Sequence, residues 1–269
     1  MIPLGTLALL AAGGALIGFL LSVLGAGGSI LLLPLLVSGA ALPTKEAVPL
    51  SLLVVILLAL ANLGPYLRRG QFAPGPALVL GMPALAGSWI GGSWVKAGFV
   101  PEPVQLGVFA AAALVASWLL VRKPAQIPAT ANNWLLGLEG ILVGLLTGIA
   151  GVGGGFAIVP ALVLLAGLPM QLASGTSLLL IAVNALVALV AQGTWPASGL
   201  PLMVPLLCGG SIGAVVGQRL APHLADRQLR QGFAALLIGS AWLTGSEAIN
   251  RHHSASIAQM HGQIHQARR

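Results

Sequence analysis

The stretch GAGGSILLLP, from Gly25 to Pro34, returns 126 residues later as GVGGGFAIVP, from Gly151 to Pro160. Glycine is a poor helix former, and each cluster stands between a long apolar run and a short one of about a dozen residues. A dozen residues cannot cross roughly 30 Å of hydrocarbon as a straight helix. Each copy therefore reads as a membrane helix, a break, and a short helix. The same shift carries Gly14 to Gly140, Gly18 to Gly144, Pro43 to Pro169, and Ser51-Leu52-Leu53 to Ser177-Leu178-Leu179. Apolar composition produces chance Leu and Ala matches, but it does not align glycines, prolines and a serine, so the periodicity indicates a duplication. Farther along, Gly87-Ser88 matches Gly210-Ser211 and Lys96 matches Arg219, an offset of 123 that predicts a three-residue difference in the intervening loop.

Outward from these clusters, apolar segments fall at about 4–24, 29–40, 46–64, 76–98 and 102–121, and again at about 134–149, 156–167, 170–191, 199–217 and 228–246. The expected organisation is a first transmembrane repeat over 1–121, a polar linker over 122–133, a second repeat over 134–249 and a polar tail over 250–269. The chain has 269 residues, 57% hydrophobic and only 6% charged, where a soluble domain carries about 25% charged residues. The mean hydropathy of +0.99 agrees. An all-α, polytopic membrane protein is expected, with about eight full spans and two short or re-entrant helices. The net charge of +7 comes from lysines and arginines scattered between apolar blocks, so it is read as a topology signal and not as a nucleic-acid surface.

If each short segment completes a crossing, a repeat has five segments and the two copies are inverted; if it is re-entrant, a repeat has four spans and the copies are parallel. The positive-inside rule favours the inverted arrangement. It gathers Arg68, Arg69, Arg122, Lys123, Arg219, Arg227 and Arg230 on one side and leaves Lys45, Lys96 and the tail on the other.

Unwound backbone within a bilayer exposes N–H and C=O groups that protein, water or a ligand must satisfy. Broken helices in inverted repeats are where transporters bind substrate, and a helix N-terminus favours an anion. The candidate substrate-binding residues are Gly25, Gly27, Gly28 and Ser29 with Ser51 in the first half, and Gly151, Gly153, Gly154 and Gly155 with Thr176 and Ser177 in the second. Ser22, Asn62, Thr147, Ser174 and Asn184 are further small polar groups near the breaks. The alternative for the glycines is close helix packing, and for the hydroxyls and amides it is hydrogen bonding to helix backbone. Glu139, within or at the edge of an apolar segment, is a candidate proton acceptor; the alternative is an interfacial acid at a helix start. No catalytic motif is present, so an enzyme is not expected. Nor are a cofactor and a metal. Cys208 alone excludes an intrachain disulfide.

Two copies of GxGG followed by a proline, Gly25-Ala26-Gly27-Gly28 with Pro34 and Gly151-Val152-Gly153-Gly154 with Pro160, resemble the TauE/SafE sulfite exporter family, also called toluene sulfonate uptake permeases. The stretch GLPMQLASGTSLLL from Gly167 to Leu180 is similar to the segment after that family's second motif. The likeness covers about residues 5 to 246. It implies a carrier of sulfite, thiosulfate, organosulfonates or related anions, most often exporting them, in a bacterial-type inner membrane. The two halves differ: Ser29 stands opposite Gly155, and Val48-Pro49-Leu50-Ser51 opposite Ser174-Gly175-Thr176-Ser177. The partners of such a carrier are the lipid bilayer and a small anion, with room for a homo-oligomer. A passive anion channel and a non-transporting membrane scaffold are the alternatives.

Overall fold

The computed structural model describes residues 4–121, 133–150, 155–196 and 199–242, and among them all regular structure is helical. The first half contributes α1 (Leu4–Leu24), α2 (Gly27–Pro34), α3 (Thr44–Arg68), α4 (Pro74–Lys96) and α5 (Glu102–Val121). The second contributes α6 (Asn133–Ala150), α7 (Gly155–Leu164), α8 (Met170–Gln192), α9 (Leu200–Leu220) and α10 (226–242). Five of them, α1, α3, α4, α8 and α9, are long and apolar enough to cross a bilayer on length and hydropathy alone, and α5 and α6 carry shorter apolar stretches. The protein is an all-α, multi-pass membrane protein. Large apolar side chains such as Leu78, Trp89, Val204 and Ile212 face outward, as lipid contact requires.

Short α2 and α7 end the same way. Pro34 and Pro160 lie inside them, and proline supplies no N–H to the helical ladder. Beyond Pro34 the chain relaxes into a π turn, Leu35–Gly39, in which the Ala40 N–H bonds the Leu35 carbonyl at 3.1 Å. Leu42 then bonds Leu36 at 3.1 Å. After α7 the pattern returns, with Ala166 bonding Ala161 at 3.4 Å and Leu168 bonding Leu162 at 3.1 Å, each residue 126 beyond its counterpart.

Hydrogen bonds fix the directions. Tyr66, in the last turn of α3, reaches the carbonyl of Ser22 near the end of α1, so α1 and α3 run the same way and α2 with its π turn brings the chain back between them. Ser174, near the start of α8, bonds the Leu24 carbonyl at the end of α1, so α8 runs opposite to α1 and α3. Arg69 bonds the Gln218 carbonyl late in α9 at 3.1 Å, and Asp226 accepts from the Met170 N–H at 2.6 Å. Arg68, Arg69, Arg219, Arg227 and Arg230 thus gather at one end of the bundle. Lys45, opening α3, and Lys96, closing α4, stand at the other.

Parallel helix pairs form the flanks, α1 with α9 and α4 with α6. Their backbones meet directly. A Cβ on Gly18 would overlap the Gly210 carbonyl, and one on Gly144 would overlap the Ala84 carbonyl; Gly87 stands to Ile141 as Gly213 stands to Ala15. Every one of these equivalences is an offset of 126. The offset of 123 expected for this region is therefore corrected: Gly87 plays the part of Gly213, not of Gly210. Identity matching was misled because the small residues that allow close approach recur every few positions along α4 and α9, whereas only one register brings backbone to backbone.

Candidate functional site

The break between α1 and α2 lies inside the bundle, level with Ser174 four residues into α8. Gly25 has φ +77°, a left-handed conformation that favours glycine, and a Cβ on it would overlap Ser174. A Cβ on Gly28 would overlap the Ile17 carbonyl, where α2 folds back along α1. Close packing thus demands Gly25 and Gly28 in their own right. Ala26, the residue before α2, has no side-chain group of its own that could cap the helix. Ser29 and Gly155 are placed by their backbones in the first turns of α2 and α7; Gly151, Gly153 and Gly154 lie outside the described residues, as do the linker and the tail.

Two hydroxyls cover the end of α1. Ser174 Oγ donates to the Leu24 carbonyl at 3.0 Å, and Ser177 Oγ lies 3.1 Å from the Gly25 carbonyl and 2.8 Å from that of Ser174. These are carbonyls that a continuing helix would have satisfied. Thr176 Oγ1 donates to the Leu172 carbonyl at 2.8 Å and accepts from the Ala73 N–H at 2.9 Å, which ties the start of α4 to α8. Ser51 Oγ bonds the Val48 carbonyl at 2.8 Å. In this conformation the three predicted hydroxyl donors face backbone carbonyls. Ser177 and Gly25 are brought together; Thr176 sits on the far side of α8, against α4.

Three participants at this end were not picked out from the sequence: Tyr66, and the Gln71 and Gln171 side chains that meet at 3.1 Å. Tyrosine and glutamine at segment ends look like ordinary interfacial residues, so no sequence signal marked them. Among the described residues, buried polar atoms without a hydrogen-bond partner include both amide atoms of Asn184 and one carboxyl oxygen of Glu139. Asn184 is fully buried.

A helix broken at Gly25 and restarted at Gly27 within a membrane bundle suits a transporter, and the wider comparison agrees. Residues 10–243 match the model of the family described as sulfite exporter TauE/SafE. The chain belongs to the TauE/SafE family. Two curated relatives, each named "Probable membrane transporter protein", come from strains Temecula1 and 9a5c of Xylella fastidiosa. They are 27% and 28% identical over 238 residues, spanning 85% of this chain and 90% of each relative. No solved structure is significantly similar. This TauE/SafE protein is a multi-pass membrane transporter, and its bacterial relatives fit placement in an inner membrane.

Proposed function

We infer that this TauE/SafE member is a secondary carrier of small sulfur-containing anions such as sulfite, thiosulfate or organosulfonates, working as an exporter and not as an enzyme. The observation that supports this most is the start of α2, a helix N-terminus inside the bundle next to the left-handed turn at Gly25. Its first-turn N–H groups and dipole favour an anion without a fixed cation that would hold it too tightly. The first turn at Gly27, Gly28 and Ser29 supplies the donors, and Gly153, Gly154 and Gly155 supply the counterpart in the second half. Ser51, Thr176 and Ser177 become donors when helix movement frees them from their carbonyls. Opposite directions of α3 and α8, together with contacts that recur at 126, support two inverted repeats that rock against each other. Glu139 is the proton acceptor in this scheme.

The test is reconstitution in liposomes, with uptake and counterflow of sulfite, thiosulfate, sulfate and a short organosulfonate. Saturable counterflow of a sulfur oxyanion is expected. Flux that neither saturates nor exchanges identifies a channel instead, and folded protein that moves none of the four is a scaffold.

A further inference from the structure

Asn184 stands near the middle of the 23-residue α8, about ten residues and so roughly 15 Å deeper than the Gly25 break along the helix. It is fully buried, and among the described residues neither its Nδ2 nor its Oδ1 has a hydrogen-bond partner. A buried amide left unpaired is costly, about 1–3 kcal/mol in proteins, and more so at a depth in the membrane where no water is at hand.

Asn184 lies on the stripe of α8 that packs against α4. Leu180, Asn184, Ala188 and Ala191 share one stripe of α8 at helical spacing. Along that stripe a Cβ on Gly81 of α4 would meet Leu180 Cδ2 at 2.5 Å, and one on Gly92 would meet Ala191 Cβ at 2.9 Å. Asn184 lies between these two contacts, level with the buried Ala84 and Ser88 of α4, while Gly87 of the same stretch is turned toward Ile141 of α6. Ser88, the one hydroxyl there, donates to the Gly144 carbonyl at 3.2 Å. The counterpart of Asn184 in the first half, 126 residues earlier, is Leu58, whose side chain packs toward Gly210. The fold fills this position with a plain apolar side chain once and with an unpartnered amide once.

We propose that Asn184 binds the transported anion in the α4–α8 seam, and that the bound species is a protonated monoanion such as hydrogensulfite. This rests on the carrier reading above and adds a second station to the same path. An amide offers two donors and one acceptor. A fully ionised oxyanion satisfies Nδ2 and sets its charge against Oδ1. An oxyanion that keeps one proton satisfies both atoms, accepting from Nδ2 and donating to Oδ1. Charge points the same way: α4 and α8 carry no charged residue apart from Lys96 at the end of α4, and the desolvation of a dianion there has nothing to offset it. The ligand enters when α4 and α8 separate.

Purified full-length protein in detergent is titrated with sulfite at pH values on both sides of its second ionisation, and with sulfate and methanesulfonate, following thermal unfolding. The wild type gains stability from hydrogensulfite, more than from methanesulfonate and far more than from sulfate. Asn184→Leu, which installs the residue of the other half, is more stable than wild type without ligand, because the unpaired amide is gone. It needs roughly tenfold to a hundredfold more hydrogensulfite for the same shift, the worth of hydrogen bonds to a charged group. Asn184→Ala loses the response equally without adding volume. A hydrogensulfite response retained in either variant overturns the proposal. So does ligand-free Asn184→Leu that is less stable than wild type, since the amide then has a structural partner, and so does a sulfate response equal to that of hydrogensulfite. A wild type that responds to no oxyanion removes the carrier reading itself, and this proposal with it.

Discussion

Tyr66 donates its hydroxyl to the backbone carbonyl of Ser22 at 2.6 Å, with both residues buried. The bond joins the last turns of α1 and α3 beside the break that begins at Gly25, and it is a tertiary bond no helix could make by itself. Tyr66→Phe keeps the ring and removes the donor, so it should lower stability by about 1 kcal/mol, the usual net worth of such a bond. Thermal unfolding in detergent measures it; a variant as stable as wild type would show that the bond contributes nothing net.

The same contact orients the chain. With α1 and α3 running together and α8 against them, the arginines collect at one end, which the positive-inside rule predicts to be cytoplasmic. In a Cys208→Ser background, Arg69→Cys should react with an impermeant thiol reagent only from the cytoplasmic side, and Lys96→Cys only from the opposite side. Labelling of both from one face refutes the topology.

Backbone contact between helices predicts which glycines tolerate a methyl group. Gly18→Ala and Gly144→Ala each drive a Cβ into a carbonyl of the neighbouring helix, and each should cost about 2 kcal/mol or more, as overpacking does. Gly64, inside α3, has nothing within 4 Å of an added Cβ. Gly64→Ala should be neutral or stabilise by about 0.5–1 kcal/mol, because alanine is the better helix residue. Equal effects at all three positions would contradict the interlocked register.

Much of this bundle was legible because membranes leave few choices. Apolar run length announced the spans, and the GAGGS cluster announced the break, since no other composition lets backbone turn twice against Ile17 and Ser174. Register in α4 and α9 was not legible: it depends on which glycine faces which carbonyl, as Gly87 and Gly213 show. Ser174 and Ser177 could be read as lying near the break but not as bonding Leu24 and Gly25, because a hydroxyl rotor chooses its partner only once α8 is docked. Asn184 was visible as a polar residue in an apolar helix; that it lacks a partner is a property of packing, which a sequence does not state.

Glu139 offers the sharpest test of coupling. It lies about 9 Å along α6 from that helix's start at the arginine end, with one carboxyl oxygen buried and unpartnered among the described residues. The helices packed on α6 are α4, α5, α7 and α8, and their charged residues are Lys96 and Glu102, both at the far end of the bundle. Its counterpart 126 residues earlier is Gly13, where a Cβ would press on Leu35 beyond Pro34; the counterpart of Leu35 is Ala161, beside Pro160. A carboxyl group in such surroundings is a candidate proton carrier. Glu139→Gln fixes the neutral shape. It should keep substrate counterflow within about threefold of wild type, a change of under 1 kcal/mol, while uptake no longer responds to an imposed proton gradient. Uptake that still follows the gradient in Glu139→Gln excludes this residue as the coupling group.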